Sequence, residues 1–378
     1  MKKILIAPNS FKGCADSVTI SNYFKKNLTD LKDYEIIIKP VSDGGDGFLN
    51  VCRANLDLKD IDYFITTPFD ESVFRCSIGY DEKNKTIYIE SAKVLGLNLI
   101  PAEKKNPALL SSKGLGDLLK NISADIETKK IKADIVIIGI GGTGTNDLGL
   151  GAASRFGLKL LDSSDKECDV IPDNYSTVKN LEWNKTNLPF KIFCVIDVEN
   201  PLAGDNGASM AFAKQKGASD GDIEIMEKGF INMINIFSEK GLIKKDNFLP
   251  GAGGGLAAGL SIFFNAKIVT AEDFIMKNLR IEKLKNKIDC LITGEGSFDS
   301  QSIMKKGTWI LIQNFQNSVE KIFLCCGIIE QGLKSKLNPS IISVELSKFF
   351  NSEEESLLNI EKGIKSACNQ IKRILHIV

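Results

Sequence analysis

The chain has 378 residues, 43% of them hydrophobic and 25% charged, a composition typical of a globular protein with a substantial core. Its 48 basic and 48 acidic residues balance, which argues against a protein that coats nucleic acid through a basic surface. The only histidine in the sequence is His376, so Ser–His–Asp or Cys–His catalysis and zinc binding by histidine are disfavoured.

Short apolar runs alternate with longer helical patterns along most of the chain. The predicted strands are 3–7, 35–39, 133–139, 191–197, 288–293, 321–326 and 341–345. The predicted helices are 16–29, 111–127, 222–240, 271–284 and 353–375. Continuous apolar strands that alternate with helices are typical of parallel strands buried on both faces. The sequence therefore predicts an α/β fold.

The segment 62–92 departs from this rhythm. Two strand-like stretches, RCSIGY and KTIYIES, are joined by the turn-like residues DEKN, which predicts an antiparallel pair. The length of the chain is also that of two or three domains. We therefore expect a second domain that begins near residue 65.

The cysteines and the N-terminus indicate the compartment. The nine cysteines are scattered and include no CxxC pair, so we expect reduced thiols in a reducing compartment. The apolar stretch after Met1-Lys2-Lys3 ends at Pro8, which is too short for a signal peptide. Since no window approaches the length of a membrane span, we expect a cytoplasmic protein.

Segments that contain glycines, polar side chains or both follow or lie between the predicted strands. They are PNSFKG (8–13), SDGGDG (42–47), GIGGTGTND (139–147), DVENPL (197–202), PGAGGG (250–255) and TGEGSFDSQS (293–302). Ligands of open α/β sheets bind beyond the carboxyl ends of the strands, where glycines let backbone amides approach an anion. Each loop alone could be only a tight turn, but their repetition predicts a site for phosphate and metal.

Lysines and acids in or near these loops supply the candidate chemistry. Lys12 and Lys216 could neutralise phosphate charge. Carboxylates that could hold Mg²⁺ or accept a hydroxyl proton are Asp43, Asp46, Asp197, Glu295 and Asp299. The structural alternative is capping: Asp147 could cap the helix that it begins, and Asp299 with Ser300 could cap the next one.

GIGGTG also fits the GxGxxG pattern of dinucleotide-binding proteins, with Asp162 placed about 20 residues later as a ribose partner. Three glycines in the following TNDLGLGAASRFG disfavour the helix that this pattern requires. An NAD(P)-dependent oxidoreductase is therefore a second alternative. No P-loop sequence, GxxxxGK[ST], is present.

Taken in order, seven segments resemble the motifs of the type I glycerate kinase family. They are IAPNSFKG (6–13), DGGDG (43–47), GIGGTGTND (139–147), DVENPL (197–202), KQKGA (214–218), PGAGGGLAAGL (250–260) and DCLITGEGSFDSQS (289–302). The resemblance implies two α/β domains with the active site in the cleft between them. One is a Rossmann-like parallel-sheet domain (1–64 and 287–378), and the other is an inserted α/β domain with an antiparallel portion (65–286).

The resemblance implies ATP- and Mg²⁺-dependent phosphorylation of D-glycerate at its 2-hydroxyl, giving 2-phosphoglycerate and ADP. The residues expected to bind the ATP phosphates are Gly141, Gly142, Thr143, Gly144, Asn146, Asp147, Gly253 and Gly254. Lys12 would stabilise the transferring phosphoryl group. Asp43 and Asp197 are the first candidates for metal ligand and base, followed by Glu295 and Asp299, with the assignment among these acids left open.

The chain departs from the family pattern at Asn9, Ser297 and over 305–309, which keeps a non-catalytic nucleotide-binding relative as a third alternative. Beyond D-glycerate, we expect neither nucleic acid nor membrane as a partner. A homodimer is left open.

Overall fold

The computed structural model describes residues 1–197, 200–244, 247–300, 302–303 and 306–376. The chain divides into two compact units. The terminal unit consists of Met1–Asp43, Asn50–Asp57 and Thr270–Val378, and the central unit consists of Gly44–Leu49 and Leu58–Val269. The boundaries expected from the sequence, after residues 64 and 286, stay a prediction.

The terminal unit contains a five-stranded sheet in which every pairing is parallel. In spatial order its strands are Ile341–Glu345, Lys321–Cys326, Cys290–Thr293, Lys2–Ile6 and Tyr34–Ile38. The apolar runs identified in the sequence form these strands, as predicted. Their side chains Ile4, Ile292 and Phe323 are completely buried, as expected for a sheet covered on both faces.

Helices of the terminal unit include Ser17–Leu28, Gly307–Phe315, Glu353–Leu358 and Ile360–His376, and a further helix, Phe48–Asn55, spans the division at residue 50. The first begins where predicted, because the Asp16 carboxylate accepts a hydrogen bond from the Thr19 amide at 2.7 Å and caps the helix.

Two long helices predicted for this unit are interrupted. The segment 271–284 consists of a short α-turn (Ala271–Asp273), a π-turn (Phe274–Asn278) and a 3₁₀ turn (Ile281–Leu284). Arg280, in the left-handed conformation at φ 59°, directly precedes the last of these turns. The segment 353–375 breaks at Asn359, whose φ of −117° is not helical. Periodicity predicted the helical content but not these breaks.

The central unit contains a six-stranded mixed sheet. In spatial order its strands are Lys267–Thr270, Lys191–Ile196, Ile135–Gly139, Thr86–Glu90, Val73–Asp81 and Lys59–Thr66. The strand Ile135–Gly139 pairs in parallel with both neighbours, whereas Val73–Asp81 pairs antiparallel with both of its own. The antiparallel pair predicted around DEKN is confirmed, with Gly79 opposite Tyr88.

The α-helices of the central unit are Ser91–Leu95, Lys113–Glu127, Leu150–Ser154, Ala208–Phe212, Asp220–Glu239 and Leu256–Phe264. A small antiparallel sheet, ordered Glu167–Cys168, Lys159–Leu161 and Asn180–Glu182, completes the unit. In the described ranges no helix combines the length and the apolar character needed to cross a membrane. The mixed α/β fold expected from the sequence is confirmed.

Two helical glycines of the central unit differ in their surroundings and allow a matched test. An ideal Cβ on Gly259 would lie 1.8 Å from the Leu148 carbonyl oxygen, whereas one on Gly221 would meet only the Ser219 hydroxyl at 3.7 Å. We expect Gly259→Ala to lower the free energy of unfolding by about 2 kcal/mol or more, because backbone must move. Gly221→Ala should leave it unchanged or raise it by up to about 1 kcal/mol. Urea denaturation monitored by circular dichroism measures both, and equal effects would contradict the packing described.

Candidate active site

The strand order of the terminal unit's sheet reverses between Lys2–Ile6 and Cys290–Thr293, which lie side by side. In doubly wound sheets the ligand binds beyond the carboxyl ends of the strands at such a reversal. The loops after the two strands meet there, since the Asn9 amide donates a hydrogen bond to the Gly294 carbonyl oxygen at 2.8 Å. The first and last glycine-rich motifs of the sequence therefore share one edge of this sheet.

Glu295 follows this edge and is only 7% exposed. Its Oε1 atom has no hydrogen-bond partner among the described residues. Burial raises the pKa of Glu295 to about 7, opposed by a hydrogen bond from Ser302 and the charge of Lys306, while Asp43 and Asp299 raise it further. The charges of two other predicted acids, Asp43 and Asp299, thus act on Glu295.

Asn9 orients Asp43 in this acidic group. Asn9 is 5% exposed, and its side-chain Nδ2 donates a hydrogen bond to Asp43 Oδ2 at 3.1 Å. Its Oδ1 accepts from the Ser10 amide at 2.8 Å, which fixes which end of the side chain faces the carboxylate. The sequence marked Asn9 only as a departure from the family pattern, and its hydrogen bond to Asp43 was not predicted.

Lys12 occupies a tight turn of the same unit. Backbone hydrogen bonds of 2.9 and 3.0 Å between Phe11 and Ala15 close this turn, and Lys12 is exposed at its tip. The Lys12 backbone nitrogen would lie 3.2 Å from a Cβ placed on Gly296, so the turn runs against the loop that carries Glu295.

Asp299 closes a turn. Its Oδ1 accepts a hydrogen bond from the Ser302 amide at 3.1 Å. The following helix begins only at Gly307, with Lys306 at its N-cap, so the predicted capping of that helix by Asp299 and Ser300 is wrong. Gln301 and Lys305, from the motifs TGEGSFDSQS and KKGTW, lie outside the described residues.

In the central unit, the loop Gly44–Gly47 packs against the loop after strand Ile135–Gly139. A Cβ on Gly141 would lie 2.6 Å from the Gly45 Cα, so the two backbones touch and leave no room for a side chain. Glu90, which is 6% exposed, accepts hydrogen bonds from the Gly47 amide at 3.1 Å and the Leu49 amide at 2.9 Å. Two motifs that are about 95 residues apart in sequence are thereby joined.

The loops 141–147 and 250–255 form what we call the glycine cradle. Gly253, Gly254 and Gly255 adopt φ values of 64°, 69° and 81°, and a Cβ on Gly254 would lie 2.4 Å from the Thr145 carbonyl oxygen. The backbone amides in the cradle that donate no hydrogen bond within the described chain are those of Gly142, Thr143, Thr145, Asn146, Asp147, Ala252, Gly253 and Gly254. The cradle leads into the N-terminus of helix Leu256–Phe264, where amides favour an anion.

The buried carboxylate of Asp147 holds the end of the cradle loop 141–147 in place through hydrogen bonds. It is 1% exposed, and its Oδ2 accepts hydrogen bonds from the Ser112 amide at 2.6 Å and the Gly151 amide at 3.1 Å. Its Oδ1 accepts from the Gly149 amide at 3.2 Å. Burial raises the pKa of Asp147 while these hydrogen bonds lower it. This geometry favours the capping role considered above, and ATP binding by Asp147 stays a prediction.

Lys216 is 5% exposed, so it does not face solvent as a surface cation would. Its Nζ donates to the Thr145 carbonyl oxygen at 2.7 Å and approaches Asn146 Oδ1 at 3.4 Å and Thr143 Oγ1 at 3.5 Å. Burial lowers the pKa of Lys216 to about 7. The lysine that the sequence offered for phosphate therefore lies against the loop Thr143–Asn146 itself.

Asp197 directly follows strand Lys191–Ile196 and is partly buried. The next two residues of its motif, Val198 and Glu199, lie outside the described part of the chain. Within that part, no cluster of three or more His, Cys, Asp or Glu side chains is arranged to hold a metal ion. Mg²⁺ commonly uses one or two carboxylates together with substrate phosphates, so such a cluster is not required.

The dinucleotide interpretation of GIGGTG does not agree with the fold. The strand before Asp162, Lys159–Leu161, pairs antiparallel with Glu167–Cys168 and Asn180–Glu182 and belongs to the small sheet. A ribose-binding acid would have to end a parallel strand beside Ile135–Gly139. In addition, the helix after the loop is only Leu150–Ser154.

A sequence model of the glycerate kinase family matches residues 4–376. The chain is 33% identical to the glycerate 2-kinase of Escherichia coli K12 over 80% of this chain and 79% of that protein. It is 30% identical to the glycerate kinase of Neisseria meningitidis serogroup B over 99% of both. A crystal structure from Salmonella typhimurium LT2, of a protein provisionally named glycerate kinase 2, has the same fold, with a TM-score of 0.75, 21% identity and 99% of each chain covered.

These matches and the α/β fold define a phosphotransferase enzyme. The chain belongs to the glycerate kinase family, as its motifs indicated.

The burial of the Glu295 carboxyl group can be tested through the pH dependence of the free energy of unfolding. With a pKa of about 7 in the folded protein and an ordinary value of 4.5 when unfolded, Glu295 favours folding fully below pH 4.5. That contribution is lost as the pH rises through 7, because the unfolded chain ionises more easily. Glu295→Gln cannot ionise, so we expect it to be more stable than the wild type by about 1–3 kcal/mol at pH 8 and much less so at pH 5.

Denaturant titrations at the two pH values measure this difference, with exposed Glu282→Gln as a control that should show no such pH dependence. An identical stability difference at pH 5 and pH 8 would contradict the burial of an ionisable Glu295.

Proposed function

We propose that the protein transfers the γ-phosphoryl group of ATP to the 2-hydroxyl of D-glycerate, giving 2-phosphoglycerate and ADP. The observation that carries the nucleotide part is the glycine cradle, with eight backbone amides that have no acceptor in the described chain. The 2-position is supported by the relative from Escherichia coli, which is a glycerate 2-kinase.

The cradle would hold the phosphates of ATP through amides that are free in the described chain, those of Gly142, Thr143, Thr145, Asn146, Gly253 and Gly254. The expected residues Gly141 and Gly144 would support the loop instead, because their amides already donate to the Ser91 hydroxyl at 3.1 Å and to the Leu95 carbonyl oxygen at 2.7 Å. Backbone amides at a helix N-terminus suit this task, because they present partial positive charge without a mobile side chain. Their positions are set by backbone contacts between loops and not by long flexible residues, so the phosphates would meet a preformed surface.

Carboxylates would complete the site. Asp43 and Asp197 would hold Mg²⁺, whose preference for oxygen ligands they satisfy, and Mg²⁺ when bound neutralises phosphate charge. The unpartnered Oε1 of Glu295 is a further buried oxygen without a hydrogen-bond donor in the described residues. Asn9 would keep Asp43 oriented through its 3.1 Å hydrogen bond.

The chemistry requires little from the protein beyond positioning and charge. Phosphoryl transfer proceeds through a loose transition state, in which Lys12 would stabilise the charge on the transferring group. The acceptor hydroxyl must lose its proton to a carboxylate, and Glu295, with its pKa raised to about 7, is suited to take it near neutral pH. Asp299 would act as a neighbouring charge that keeps this pKa high.

We further propose that the enzyme acts in the cytoplasm on a small-molecule substrate, without nucleic acid. Its nine cysteines are free thiols in the structure, seven of them buried, which suits a reducing compartment. A homodimer stays a prediction.

One assay tests the proposed reaction against its alternatives. ADP release is followed with ATP and Mg²⁺, with and without D-glycerate, and the product is identified by ³¹P NMR. We expect glycerate-dependent ADP release and 2-phosphoglycerate. The proposal would be contradicted if ADP release did not depend on glycerate, or if no ADP were released. A change in NAD(P)H fluorescence on adding the protein would favour the oxidoreductase instead.

The role of Lys12 is tested by Lys12→Ala. Because a cation at the transferring group acts mainly in the transition state, we expect kcat to fall by about 100-fold or more. Lys25→Ala removes an exposed lysine from helix Ser17–Leu28 and should retain wild-type turnover. Near-normal turnover of Lys12→Ala would reject the assignment.

A further inference from the structure

The buried amine of Lys216 is unusual in its surroundings. Lys214, two residues earlier, has a side chain that is 78% exposed and pairs with Asp220 at 3.3 Å. Lys216 is only 5% exposed, and within the described chain no carboxylate lies in ion-pair distance of its Nζ. Lysines are rarely buried without a carboxylate partner, because removing a charge from water is costly. This position therefore calls for an explanation.

The contacts of Lys216 are confined to one loop. Its acceptors, the Thr145 carbonyl and the side-chain oxygens of Thr143 and Asn146, belong to a stretch of four residues in the glycine cradle. Only the Thr145 carbonyl is close, at 2.7 Å. In a trans peptide the C=O and N–H bonds point in opposite directions. Since the Thr145 carbonyl points toward Lys216, the Asn146 amide of the same peptide points away from the lysine.

Two polar atoms of the loop are unpaired within the described chain and point to a ligand. The amide of Asn146 donates to no acceptor in the described residues, and the Thr145 hydroxyl is buried without any partner. Buried polar atoms are normally paired, so unpaired ones around a glycine loop indicate a group that binds there. Donors of this kind suit an anion such as a phosphate.

We propose that Lys216 is a positioning residue that couples nucleotide binding to proton uptake: an anion bound by the amides of loop Thr143–Asn146 converts the Lys216 amine to its ammonium form. This inference rests on the proposed nucleotide site in the cradle. The proton is taken from the buffer and held at Nζ, where the Thr145 carbonyl oxygen already accepts.

The electrostatics of the site support this coupling. Burial lowers the pKa of Lys216 to about 7, so above pH 7 the amine is largely neutral before anything binds. In the described chain, the charge of Asp147 acts on the Lys216 amine and raises its pKa, but this effect is smaller than the lowering caused by burial. A phosphate bound to the same loop adds negative charge nearby and favours the ammonium form further.

Isothermal titration calorimetry of MgATP binding at pH 8 tests the proposal. Titrations in HEPES and in Tris, which differ in ionisation enthalpy, give the number of protons taken up. For the wild type we expect roughly half a proton or more per ATP. Lys216→Met should take up none and bind about tenfold or more weakly, whereas Lys214→Met should match the wild type.

Lys216→Arg separates charge from titration, because its guanidinium stays protonated; we expect it to bind MgATP more tightly than Lys216→Met, without proton uptake. Wild-type binding without proton uptake would overturn the inference, as would full uptake by Lys216→Met. The wild-type titrations decide this even if the variants do not fold. Failure of the wild type to bind MgATP would reject the proposed nucleotide site and this inference with it.

Discussion

Direct contact between backbones is the constraint on which the central unit depends. Gly141 meets Gly45, and Gly254 meets the Thr145 carbonyl, at distances that exclude any side chain. This contact allows several loops from distant parts of the sequence to share one small volume. It also explains why the supporting residues Glu90, Asp147 and Lys216 are buried polar groups, since they bond to the backbone atoms that the loops leave without partners.

The terminal unit follows a different principle, which is the concentration of negative charge. The charges of Asp43 and Asp299 act on Glu295, and burial of Glu295 opposes its ionisation. Such an arrangement lowers stability, and proteins retain it where chemistry or a cation benefits from it. Asn9 moderates the charge, because a neutral amide donates to Asp43 where a carboxylate would repel it.

Much of the fold could be predicted because the buried parallel strands are continuous apolar runs, and the motifs between them indicated the family. The interruption at Arg280 could not, since a left-handed residue in mid-segment depends on tertiary contacts and not on helical periodicity. The burial of Lys216 could not be predicted either. The spacing of Lys214 and Lys216 in the sequence does not show which of them is buried, and only the packing of the folded chain buries Lys216. The sequence marked Asn9 as a departure from the family pattern, but its hydrogen bond to Asp43 depends on the fold and could not be predicted.

The position of the first strand has a consequence for how the protein is made. Lys2–Ile6 pairs with Tyr34–Ile38 on one side and with Cys290–Thr293 on the other. Its second edge therefore stays unpaired until Cys290–Thr293 has been synthesised, which happens after the whole of the central unit. The central unit, drawn almost wholly from Leu58–Val269, is complete earlier and can fold first as the chain emerges. During that interval the apolar strand Lys2–Ile6 has an unpaired edge, and such an edge can pair wrongly with another chain.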